Sequence, residues 1–181
     1  NHHRLTENIT WADNRASKYA TLINNQYNGL DIYRRTGTPI HPMSPLSKIF
    51  WMKHEQQEIY NQTAMFADIK TYIFYQLFET YVIDQSMASS TGMFNLENLD
   101  WDQEALELLG ISASQLPQLV PTTHILKGMK KRYATLMGID ENTPVVVGAS
   151  DGVLSNLGVN SYKKGEVAVT IGTSGAIRTV I

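Results

Sequence analysis

The sequence contains no cysteine. That excludes disulfide staples and thiolate metal sites, and it fits a cytoplasmic protein. No apolar run approaches the roughly 20 residues of a membrane-spanning helix, and no signal peptide is visible. Positive charge is not in surplus: 15 Lys and Arg stand against 17 Asp and Glu, a net charge of −2. Such a balance offers no basic field to nucleic acid or to an anionic membrane, so neither is an expected partner. An initial Met and a polar, capped end are also missing. The chain opens on Asn1-His2-His3 and closes on the strand-like Ile177-Arg178-Thr179-Val180-Ile181. Termini ordinarily lie in exposed, poorly ordered segments, so the expectation is a central piece of something longer. Terminal strands of that kind would leave an open sheet edge, which makes a homodimer one expected association.

What is present is ordinary for a globular protein: 181 residues, 43 % hydrophobic and 18 % charged, enough for one domain or one plus part of a second. Ile9-Thr10-Trp11 reads as short and β-prone, and Asp13 as the cap of a helix. The stripe Ala16, Tyr19, Ala20, Ile23, Tyr27 predicts that helix, stopped at Asn28-Gly29. Prolines 39 and 42 mark a loop. Ser44-Pro45 restarts helix, with Ser at the N-cap and Pro at the first position. Ile69 to Phe78 reads as a buried helix with Ile69, Tyr72, Ile73 and Leu77 on one side. Val82-Ile83-Asp84 opens a hydroxyl-rich loop running to Gly92. Asp100 and Gln103 resemble a capping box for a helix closed by Gly110, and Ser112 with Gln115 repeats the signal. Pro117 and Pro121 mark an irregular segment, and Tyr133 to Met137 a short helix. The polar break at residues 140–144 places a domain boundary between 1–143 and 144–181.

The chemistry concentrates in Val145–Arg178. An apolar run ends in Gly148-Ala149-Ser150-Asp151-Gly152, and Val153, Leu154 and Leu157 follow, which puts Asp151 at a strand-to-helix junction. A helix N-terminus is a favourable place for a negative charge, and a carboxylate held there can accept a proton from a hydroxyl. A plain helix cap explains the same dipeptide. Gly172-Thr173-Ser174-Gly175 lies between two alternating strands and is therefore a hairpin turn. It is not a Walker A loop, because no Lys follows its second Gly and no helix follows the turn. Glycine amides and hydroxyls of that kind can approach a phosphate; an ordinary hairpin accounts for them equally. Trp11-Ala12-Asp13-Asn14-Arg15 could meet a polyol, or simply begin a helix. His41 and His124 have no partner at metal-ligand spacing, and Lys127, Lys130, Lys131 and Arg132 form a solvated face.

At these residues the chain resembles the FGGY family of carbohydrate kinases. The matching stretches, in the family's order and spacing, are Ile9–Arg15, Gly37–Ile40 followed by Lys48–Trp51, Asp84–Gly92, Leu116–Pro121, Pro144–Asp151 and Thr170–Gly175. The wording of residues 9–16, 35–48 and 169–180 is nearest the gluconate-phosphorylating branch. The resemblance implies an α/β, ribonuclease H-like fold of the actin/hexokinase type, here partial: the later part of a first domain (1–143) and the beginning of a second (144–181).

It further implies ATP and Mg²⁺ as cofactors and a small sugar or sugar acid as substrate, with D-gluconate converted to 6-phosphogluconate. Asp151 matches the catalytic base. Gly172, Thr173, Ser174 and Gly175 match the loop that holds ATP phosphates. Trp11 matches an aromatic of the polyol pocket. Met43 falls near a pocket position that is tyrosine in glycerol-specific members, which argues against glycerol. The family's first phosphate loop, with the aspartate that helps bind Mg²⁺, would precede Asn1, and the adenine site would follow Ile181, so no metal ligand is assigned. Two other readings remain: a kinase for a pentulose such as xylulose or ribulose or for another polyol, and a catalytically inert folding or binding unit for the 181 residues alone.

Overall fold

The computed structural model describes residues 3–172 and 175–180. It divides into two compact units, the first ending at Val147 and the second beginning at Gly148.

The first unit is built on helices. α1 (Ser17–Gln26) buries Tyr19, Ala20 and Ile23, which the stripe in the sequence anticipates. The residue before it, Ala16, is also buried, whereas Tyr27 just beyond it is partly exposed. Asn28 adopts the left-handed conformation, so Asn28-Gly29 does end α1, but it also launches α2 (Gly29–Thr36), closed by left-handed Gly37. α3 (Pro45–Glu55) begins as expected: Ser44 caps it, its side chain accepting from the Ser47 amide, and Pro45 occupies the first turn where no amide is missed. α4 (Gln57–Gln62) follows directly.

α5 (Ile69–Phe78) has the expected bounds but the opposite face inward. Thr71 and Phe74 are buried, while Ile69 and Ile73 are about half exposed. The helix is apolar nearly all round, so its pattern cannot select a side. The Thr71 hydroxyl settles it, donating to the Val82 carbonyl at 2.9 Å.

Val82–Asp84 is not the start of a loop. It is strand β1, fully buried and paired in parallel with β4 (Gln118–Val120), which occupies the stretch read as irregular. Asp84 then caps α6 (Gln85–Ser89). β2 (Phe94–Asn95) and β3 (Asp100–Trp101) pair antiparallel. α7 (Gln103–Leu109) is capped by Asp102, not Asp100, and ended by Gly110. The Ser112–Gln115 signal is real and opens a 3₁₀ turn. β5 (Ile125–Leu126) and β6 (Val145–Val146) pair antiparallel around α8 (Lys131–Met137). That pairing, with the Val147 amide on the His124 carbonyl, binds residues 145–147 to the first unit, so the structural division falls after Val147 rather than after residue 143.

The main core joins α1, α2, α3 and α7 through Ile23, Ile32, Leu46, Phe50, Leu106 and Leu109. Each such side chain contributes about 1.5–3 kcal/mol by leaving water. A smaller cluster of Phe74, Val82, Val120, Leu126 and Val147 lies under the β1–β4 and β5–β6 pairs.

The second unit comprises α9 (Asp151–Gly158) and a hairpin, β7 (Val167–Ile171) with β8 (Gly175–Thr179). The hairpin pairs Val169 opposite Ile177 and Ile171 opposite Gly175. Ala168 is buried, while Val167, Val169, Ile171 and Ile177 on the other face are exposed.

Candidate functional site

The sequence-predicted residues fall in both units. In the first, Trp11 stands at a tight turn rather than on a strand: the Asp13 amide donates to the Thr10 carbonyl at 3.2 Å. The indole is 73 % exposed. Asp13 caps no helix. Its carboxylate is taken by Arg15, whose Nε lies 2.8 Å from both oxygens and whose own amide donates at 2.9 Å. The Arg15 side-chain hydrogen bond holds the Asp13 carboxyl below its ordinary range. The same guanidinium lies over the Trp51 ring of α3, 5.1 Å from its centroid.

Met43 directly precedes the cap of α3 and is partly exposed. Its amide donates to His41 Nδ1 at 3.2 Å, and the Ser44 amide and hydroxyl both donate to the His41 carbonyl. His41 therefore shapes the entry to α3, in keeping with a structural histidine.

Lys48 escapes a reading of the sequence. It sits among apolar positions of α3, buried to 7 % exposure, and its ammonium donates to the Thr10 carbonyl at 2.5 Å. Burial pushes its pKa down, opposed by the nearby Asp13 charge. The available signal was a lysine at a helical position flanked by Ile49 and Met52, on a stripe otherwise committed to the core.

In the second unit Asp151 is the first residue of α9, exposed, its Oδ1 accepting from the Gly152 amide at 2.7 Å. The chain reaches it through Gly148, whose φ of +75° is a left-handed conformation that disfavours a side chain, although a Cβ there would meet nothing within 4 Å. The start of α9 lies against the hairpin: a Cβ on Gly152 would stand 3.2 Å from Arg178 Nε, and Arg178 Nη1 donates to the Thr170 hydroxyl. Gly172 follows β7 directly, and Gly175 opens β8. Thr173 and Ser174 lie outside the described residues. No group of three His, Asp or Glu side chains placed to hold a metal occurs among the described residues. No helix among them is long and apolar enough to cross a membrane.

The model of the FGGY family of carbohydrate kinases, N-terminal domain, matches residues 1–158. The chain belongs to that family. It is 60 % identical over 177 residues to a gluconokinase of Bacillus subtilis, covering 98 % of this chain and 34 % of that protein. Among solved structures it matches a gluconate kinase and a ligand-bound xylulose kinase of Lactobacillus acidophilus. Both have TM-score 0.94 and 43 % identity, covering 97 % of this chain and 36 % of theirs. The fold is thus a part of the actin/hexokinase-type α/β fold of these kinases. The chain spans about a third of the length of the curated relatives it matches.

Proposed function

We propose that this chain is the central part of an ATP-dependent sugar-acid kinase that phosphorylates D-gluconate to 6-phosphogluconate in the cytoplasm. The observation that carries the reading is the 60 % identity to a gluconokinase across almost the whole chain. In this reading the first unit is the later part of the N-terminal domain and contributes Trp11 and Met43 to the sugar pocket. The second unit opens the C-terminal domain at Gly148, although the N-terminal family model runs on through α9 to residue 158.

Asp151 is the base. It takes the proton of the sugar hydroxyl as that oxygen bonds to the γ-phosphorus of ATP and the bond to the ADP oxygen breaks. Phosphoryl transfer asks the protein mainly for positioning and charge stabilisation. An exposed carboxylate at the head of a helix, steadied by one backbone amide, suits the first of these. Gly172 and Gly175, with Thr173 and Ser174 between them, receive the ATP phosphates through backbone amides and hydroxyls.

A xylulose-type substrate is the second reading, favoured by the equal structural match to a xylulose kinase. A substrate panel on the complete protein separates the two. Gluconate should exceed xylulose, ribulose and glycerol in kcat/KM by at least about a hundredfold, since a site that hydrogen-bonds a polar group discriminates strongly against its absence. A pentulose preference, or no sugar-dependent ADP release, overturns the assignment.

A further inference from the structure

We propose that Lys48 is a positioning residue for sugar binding: its ammonium fixes the Thr10 carbonyl and thereby sets the stance of the Trp11 turn relative to the element that follows Met43. The proposal rests on the reading that Trp11 and Met43 face the sugar.

The geometry supplies the argument. Lys48 lies five residues after Met43, in the first turns of α3, and its own amide donates to the Ser44 carbonyl at 3.2 Å. Its side chain crosses to a carbonyl 38 residues upstream, the residue just before Trp11. That carbonyl already closes the Trp11 turn by accepting the Asp13 amide. Two donors thus converge on one oxygen, one local and one from α3. Among the described residues this is the ammonium's one hydrogen bond.

A stability role explains the arrangement poorly. Burying an ammonium costs free energy that a methionine of similar length would not incur. The turn it holds contributes little burial in return, because Trp11 stands in solvent. What the contact does provide is a rigid link between two segments that carry candidate sugar-binding side chains, and small displacements of such groups weaken binding strongly. The Asp13–Arg15 pair, with Arg15 over Trp51, braces the same turn from its other end.

The test is a double-mutant cycle in the complete enzyme, with steady-state constants measured separately for gluconate and ATP. Lys48→Met should raise the gluconate KM about tenfold and leave the ATP KM unchanged. In a Trp11→Ala background the same substitution should add less than about twofold, because the effect passes through Trp11. Should Lys48→Met fail to fold, Lys48→Arg, which keeps a cation of sufficient reach, carries the same cycle with a smaller rise. Additive effects in the cycle, or equal rises in both KM values, overturn the positioning role. If Trp11→Ala raises the gluconate KM and the lysine variants do not, this inference fails while the sugar-site reading stands. If Trp11→Ala itself leaves the gluconate KM unchanged, both fall.

Discussion

Arg35 and Asp102 form a two-point ion pair that ties α2 to α7 across 67 residues, Nε to Oδ2 at 2.8 Å and Nη2 to Oδ1 at 3.1 Å. The same carboxylate caps α7 through the Ala105 amide and accepts from the Asn95 side chain at 3.0 Å. Its side chain is 2 % exposed, that of Arg35 25 %. Removing the guanidinium leaves a buried carboxylate with its charge unpaired. Arg35→Met should therefore cost about 2–4 kcal/mol, read from the urea-unfolding midpoint. An unchanged midpoint contradicts the role given to the pair.

The pair also sets an acid limit. Burial raises the Asp102 pKa, but the hydrogen bonds from Arg35, the Ala105 amide and Asn95 outweigh it, and the net shift is below the ordinary 3.8. A depressed carboxylate contributes stability in full above its unfolded value and loses it as pH falls through the folded one. Thermal unfolding followed down the acid range should show wild type losing stability below about pH 3.8. Arg35→Met should lose less over the same interval, because its Asp102 pKa is less depressed. Parallel curves for the two proteins would refute this.

Two glycines separate strain from space. Gly92 and Gly128 both have φ of +78°. A Cβ on Gly92 would lie 3.1 Å from Leu46 Cβ in the core, whereas one on Gly128 would meet nothing within 4 Å. Gly128→Ala should cost about 1 kcal/mol from backbone strain alone. Gly92→Ala should cost about 1–2 kcal/mol more, because α3 must give way. Equal unfolding midpoints for the two variants would contradict the packing described around Leu46.

Trp11 separates binding from folding. Its exposed ring buries little, so Trp11→Ala should leave the unfolding midpoint within about 0.5 kcal/mol of wild type. The same variant should raise the gluconate KM by at least about tenfold, no less than any change that acts through it. A large loss of stability would mean that the side chain packs where this structure leaves it in water.

Much of this was legible in the chain. The Ser44-Pro45 start of α3, the stripe that buries Ile23, the closing Gly110, and the β7–β8 hairpin all follow from local rules, and local rules decide them. The misses are tertiary. Val82–Asp84 is too short to announce itself, and its parallel partner lies 36 residues on, between two prolines. α5 is apolar nearly all round, so the Thr71 hydroxyl and its Val82 acceptor reveal which face turns in. Asp100 and Asp102 compete for one cap, and the Arg35 and Asn95 contacts favour the second. At the candidate site, the carboxylate at the head of α9 and the glycine-flanked turn are visible as residues. Lys48 is visible as a charge on the core stripe and as the first residue of a matching stretch, but its contact is not, because the acceptor is a distant backbone carbonyl that no side-chain pattern encodes.

The role proposed for Asp151 is that of the base in a sugar kinase. Its most direct test is single-turnover phosphorylation of gluconate by the complete enzyme carrying Asp151→Asn, with sugar and nucleotide affinities measured alongside. Loss of a positioned general base should slow the chemical step by between about a hundredfold and ten-thousandfold, while both affinities stay within about threefold of wild type. Phosphoryl transfer at the wild-type rate would contradict the assignment.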